Sequence, residues 1–157
     1  MGHFDRTTCD CCVCPMQCVM QQLVGQTDVA ITTPVGDEFN VTINSVDNFI
    51  ADTSAGLYAI CNVTAVASDA LGIDTKLKPV RQDKKGECSC CEDPATNELI
   101  KLINQEVGIE FITNSSLVMI PGTVLKVGEG IVISELVSSE KIAISTCQVT
   151  RIDPDPA

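Results

Sequence analysis

Cys61-Asn62-Val63-Thr64-Ala65-Val66 and Cys147-Gln148-Val149-Thr150-Arg151-Ile152 are the stretches that decide how this chain is organised. The second follows the first by 86 residues and repeats its run of cysteine, amide, valine and threonine, with a β-branched residue in sixth place. Upstream, in the same order, Cys9-Asp10-Cys11-Cys12 returns 79 residues later as Cys88-Ser89-Cys90-Cys91. Between these blocks Pro15 matches Pro94, Leu23 matches Leu102 and Gly36 matches Gly122. Two blocks in one order point to an internal duplication, which one shared tetrapeptide would not. The growth of the offset calls for inserted residues in the second half, and Ser115-Ser116-Leu117-Val118-Met119-Ile120 ahead of Pro121 supplies most of them.

Each half reads as a short helix followed by about five short strands. In the second half Asp93 suits an N-cap and Pro94 the first helical position, while Leu99, Leu102, Ile103 and Val107 fall on one helical face. Pro15, Met16, Val19, Met20 and Leu23 give the first-half version. Val29, Ile31 and Thr33 then alternate, and a turn at Pro34-Val35-Gly36-Asp37 leads to Phe39, Val41 and Ile43, with Phe49 and Ile60 to Val66 later. Ile109 to Ile112, Val124 to Val127, Ile131 to Val137 and Ile142 to Ile152 form the equivalent set. The expected class is mainly β, as two tandem small bent β-barrels, each preceded by a cysteine cluster and a short helix. The expected divisions are a cysteine-rich N-terminal connector at 1–14, a first barrel at 15–67, a linker with the second cluster at 68–92, a second barrel at 93–153 and a tail at 154–157. The linker from Ser68 to Glu87 carries Lys76, Lys78, Arg81, Lys84 and Lys85, nearly neutralised by Asp69, Asp74, Asp83 and Glu87. It reads as solvated, or docked on an acidic neighbour.

Composition narrows the function classes. The chain has 157 residues, 45% hydrophobic, and a net charge of −11. That is too apolar for disorder, yet no run approaches the roughly 20 apolar residues of a membrane helix. The charge opposes phosphate backbones and only four Phe and one Tyr could stack on bases, so neither nucleic acid nor membrane is an expected partner. The opening Met1 to Cys12 lacks the pattern of a secretory signal. The lone His3 near the start, the scattered carboxylates and the absence of a phosphate loop or dinucleotide fingerprint argue against an enzyme.

The ten cysteines carry the chemistry. Cys11-Cys12 and Cys90-Cys91 are adjacent, and neighbouring side chains in extended chain point apart, so each reaches a different partner. Cys9, Cys11, Cys12, Cys14, Cys18, Cys88, Cys90 and Cys91 are the candidates for disulfides between subunits. Cys14 and Cys18 have no counterpart in the second half, where Asp93 and Asn97 stand. The competing reading is a zinc or iron–sulfur centre, since Cys9-x2-Cys12 and Cys88-x2-Cys91 have the spacing of paired thiolate ligands. Against it, the CxxC pairs overlap and the ferredoxin spacings are absent. No cofactor is therefore the first expectation. Cys61 and Cys147, in apolar stretches, read as small core hydrophobes ahead of a bridge.

Two resemblances add to this. Leu23-Val24-Gly25-Gln26-Thr27 leading to Val29-x-Ile31, then Gly36, Ile43-x3-Asp47-x2-Ile50 and Ile60-Cys61-Asn62-Val63, is similar to the order of elements in Sm-like small barrels. Ala51 stands where such proteins have an RNA-binding asparagine, so an Sm-like adaptor is only a third reading. The resemblance implies geometry: a helix capping a bent five-stranded sheet whose edges pair between subunits. The head of the chain, Cys11-Cys12-Val13-Cys14-Pro15-Met16-Gln17-Cys18-Val19-Met20 through Gln26, resembles small cysteine-rich spore-surface (coat, exosporium or appendage) proteins of endospore-forming bacteria. That implies a structural subunit at the spore or cell surface. It would partner itself and other spore-surface proteins, and be made without a classical signal peptide and oxidised later.

Overall fold

A computed structural model describes residues 13–80, 93–113 and 119–156, with the side chains of 13, 14, 93, 119 and 120 left aside. The first half opens with helix α1 (Val13–Gln21), followed by β1 (Val29–Thr33), β2 (Gly36–Val41), β3 (Ile43–Asp47), β4 (Ile50–Thr53), β5 (Gly56–Ala59) and β6 (Ala65–Ala67). The second opens with α2 (Asp93–Ile100), followed by β7 (Glu106–Phe111), β8 (Met119–Gly128), β9 (Ile131–Leu136), β10 (Lys141–Ser145) and β11 (Val149–Asp153). The fold is mainly β, and every described pairing is antiparallel. Neither sheet closes into a barrel. One has eight strands in the order β11-β7-β8-β9-β10-β6-β1-β2, and the other three in the order β3-β4-β5. The expectation of closed tandem barrels is corrected accordingly.

The two halves repeat several strand pairings in the same register. Ile31 opposes Val66 in β1–β6, as Ile109 opposes Ile152 in β7–β11. Ile43 opposes Thr53 in β3–β4, as Val124 opposes Ser134 in β8–β9, with an irregularity one step on in both. Leu57 opposes Asp52 in β5–β4, as Ala143 opposes Ile133 in β10–β9. The turn after each helix is also the same. Gly25 N–H donates to the Ile43 carbonyl and Ile43 N–H to the Gln26 carbonyl; Asn104 N–H donates to Val124 and Val124 N–H to Gln105. Gly25 (φ 86) and Asn104 (φ 69) both take the left-handed conformation this turn needs, which glycine and asparagine reach at least cost.

These registers correct the alignment read from sequence. Gly122 sits opposite Val107 as Val41 sits opposite Val29, so Gly122 is the counterpart of Val41 rather than of Gly36. The offset is 78 at Ile31/Ile109, 81 at Ile43/Val124 and 86 at Leu57/Ala143. The larger insertion therefore lies in the turn between β9 and β10, not at 115–120. Leu102, Ile103 and Val107 lie beyond the helix, which ends at Ile100; the left-handed Asn104 then turns the chain, and Val107 belongs to β7. Phe49 (φ 63) occupies the β3–β4 turn with Asn48 (φ 51) instead of a strand.

The helices are set by their apolar stripes. Met16, Val19, Met20 and Leu23 are all buried under α1, and Leu99 under α2. Two apolar clusters form, and each takes residues from both halves. The first joins α1 and β1 to Ile131, Ile133 and Ala143 of the second half. The second joins Leu99, Val107, Ile109 and Phe111 to Ala65 and Ala67 of the first. The reason is β6: alternate residues of a strand face opposite sides, so a strand lodged between the halves feeds both cores.

The described part of the linker is docked. Gln22 Nε2 donates to the Lys76 carbonyl at 2.8 Å while its Oε1 accepts from Lys76 N–H at 2.9 Å. Lys126 Nζ donates to the carbonyls of Ile73 and Thr75 at 3.0 and 2.7 Å. Lys78 lies 3.6 Å from the buried carboxylate of Glu129, whose N–H donates to the Lys78 carbonyl.

Candidate functional site: two open strand edges and the cysteines

The halves meet through strand pairing. β10 of the second half pairs with β6 of the first in the register Ile142↔Ala67, Ala143↔Val66 and Ile144↔Ala65. The ladder extends at both ends, with Ser145 N–H donating to the Thr64 carbonyl and Ser68 N–H to the Lys141 carbonyl. Ala143, Ile144, Ala65 and Val66 are essentially inaccessible.

By the repeat, the counterpart of β10 is β5 and that of β6 is β11. Among the described residues each of these has one strand neighbour. β5 ends the three-stranded sheet and β11 ends the eight-stranded one. A local turn positions β5: the Thr53 hydroxyl accepts from Ala55 N–H at 3.1 Å and donates to the Gly56 carbonyl at 2.8 Å. On the β5 edge Leu57 is 72% exposed and Tyr58 is half-buried. Burial, with the negative charge of Glu38 adding to it, pushes the Tyr58 phenol above its ordinary pKa of 10.0. Along β11, Arg151 and Thr150 are exposed and Ile152 is half-buried against the second apolar cluster. Glu110 on β7 accepts from the Thr150 hydroxyl at 2.9 Å and from Arg151 at 3.4 Å.

Of the cysteines, Cys9, Cys11, Cys12, Cys88, Cys90 and Cys91 lie outside the described residues, and with them both the cluster disulfides and the alternative metal set of Cys9, Cys12, Cys88 and Cys91. Cys14 lies in α1. Cys18 is exposed on the outer face of α1 with a free thiol, in a groove shared with Gln21, Lys76 and Leu77. Cys61 and Cys147 are neither in strands nor in the core. They occupy equivalent 3-10 turns, Ile60–Asn62 and Thr146–Gln148, closed by Val63 N–H donating to the Ile60 carbonyl and Val149 N–H to Thr146. Each turn carries the chain between strands on opposite sides of its half, which pushes the middle residue outward. Cys61 is exposed and free. Cys147 is partly exposed and disulfide-bonded, with neither Cys18 nor Cys61 as partner. Among the described residues no cluster of three or more His, Cys, Asp or Glu is placed to hold a metal, and no helix is long and apolar enough to cross a membrane.

Sequence reading missed Leu57, Tyr58 and Ile152 as edge residues. The available signal was the 86-residue offset, which sets Leu57-Tyr58 against Ala143-Ile144. Comparison with protein-family models, with curated proteins and with solved structures gave no match.

Proposed function

We propose that this chain is a structural subunit that self-assembles, through strand edges and disulfides between subunits, into an extracellular or spore-surface fibre or layer. Each half acts as a small, strongly bent Sm-like sheet. One observation carries the reading: β10 and β6 already join two such units inside a single chain, and among the described residues the counterparts of those two strands are left as open edges. Unpaired edges are normally shortened, charged or covered, because they template association. Here β5 presents Gly56, Leu57, Tyr58 and Ala59, with no charge among them. A contact between two different edges is head-to-tail, and repeats into a ring if the rotation closes and a filament if it does not. The exposed thiols of Cys18 and Cys61 favour covalent locking of such an assembly. The spore-surface setting rests on the resemblance of the chain's head.

Gel electrophoresis of the purified protein with and without reductant, together with negative-stain imaging, tests this. A ladder or excluded material that collapses with reductant, and regular particles on the grid, are expected. A clean monomer in both lanes with an empty grid refutes it.

A further inference from the structure

The interaction surface can be specified to the residue. We infer that β5 of one chain pairs antiparallel with β11 of a second copy in the register of the internal β10–β6 joint, so that Leu57 opposes Ile152, Tyr58 opposes Arg151 and Gly56 opposes Asp153. The inference rests on the self-assembly reading and gives it a defined contact. Its basis is the matched registers: β5 sits on β4 as β10 sits on β9, and β11 sits on β7 as β6 sits on β1. Transferring Ile142↔Ala67, Ala143↔Val66 and Ile144↔Ala65 by the 86-residue offset gives the three pairs without further choice.

Chemistry at the transferred positions fits a strand neighbour. Leu57 and Ile152 replace the fully buried pair Ala143 and Val66, and joining them covers an exposed leucine and a half-exposed isoleucine. Arg151 is brought opposite the Tyr58 ring, a cation-over-aromatic arrangement. Ala59 N–H takes the role of Ser145 N–H and donates to the Thr150 carbonyl of the next chain. At the other end the donor Ser68 is replaced by Pro154, which has no N–H, so the ladder between chains ends one bond short of the internal one. The other sheet ends do not compete on these terms. β3 is already bonded along Ile43 by Gly25 and Gln26, and β2 corresponds to the start of β8, whose outer edge is paired only from Gly122 onward among the described residues.

The test is carried out on the full chain, reduced and oxidised, by light scattering against concentration. Leu57→Glu places a carboxylate opposite an apolar residue and is expected to raise the concentration needed for assembly at least about tenfold. Its melting temperature should be unchanged, because residue 57 is exposed within the chain. Adding Ile152→Lys is expected to restore assembly. A photoactivatable residue at position 57 of the otherwise unaltered chain should cross-link to peptides spanning 150–154 of another copy, which tests the register even if a variant misfolds. A native chain that never assembles refutes the self-assembly reading. A native chain that assembles while Leu57→Glu assembles equally well, or whose adducts fall outside 150–154, refutes this joint alone.

Discussion

Replacing Leu99 by alanine tests whether the two halves stand or fall together. Leu99 is fully buried under α2 in the second apolar cluster, which also takes Ala65 and Ala67 from β6. The substitution removes three carbons, about 2.4 kcal/mol at ~0.8 kcal/mol each, and the residual cavity brings the loss to about 3–4 kcal/mol. With a urea slope of about 2 kcal/mol per molar, the midpoint should fall by about 1.5–2 M. The informative probe is Tyr58, the single tyrosine in a chain without tryptophan, which sits in the first half and reports it by fluorescence. Because β6 contributes to both cores, the Tyr58 transition should move with the far-ultraviolet circular dichroism transition, although Leu99 belongs to the other half. The titration is best run near about pH 5, where few thiolates are present to exchange disulfides. A Tyr58 midpoint that stays in place while the dichroism curve splits in two would refute the shared-core argument.

Gly128→Ala should lower stability by about 1–3 kcal/mol in thermal melts, since the new Cβ would lie 2.5 Å from Leu77 Cβ and 3.0 Å from the Lys78 carbonyl oxygen of the docked linker. An unchanged melting temperature would mean that the linker is not packed there. Tyr58 should titrate above 10.0 by phenolate absorbance, and less so in Glu38→Gln. The folded state then holds its proton longer than the unfolded state, so this contribution is complete below pH 10.0 and is lost as pH rises through the folded value; stability that does not fall in that window would contradict it. Brief alkylation of the native chain followed by peptide mapping should label Cys18 and Cys61 and spare Cys147. Prolonged chelator treatment should leave the melting temperature unchanged, and a large drop would revive the metal reading of the cysteine clusters.

Much of the organisation is visible in the chain itself. The duplication, the mainly β character and the apolar stripe of α1 follow from spacing alone, because side-chain periodicity is local and survives divergence. Boundaries set by backbone conformation were harder to read. Nothing in the run from Asp93 to Val107 announces that the helix stops at Ile100 and that Asn104 turns left-handed in the following turn, since asparagine is tolerated both inside helices and after them. Cys61 and Cys147 looked like core residues because their neighbours are aliphatic, but a three-residue 3-10 turn reverses the alternation and faces them outward.

That two equivalent units exist, and that cysteine exceeds what the repeat accounts for, can be read from the order of residues. How the units meet is a property of the fold. Strand pairing is made by backbone groups that every residue carries; the wholly apolar Ala65-Val66-Ala67 of β6 and the charged Arg151 and Asp153 of β11 differ in the chain, but which strand β6 would meet, and that β11 has a single strand neighbour among the described residues, came from the fold. That difference comes from three-dimensional closeness, and it leaves Leu57 exposed on one edge and Ile152 half-covered on the other.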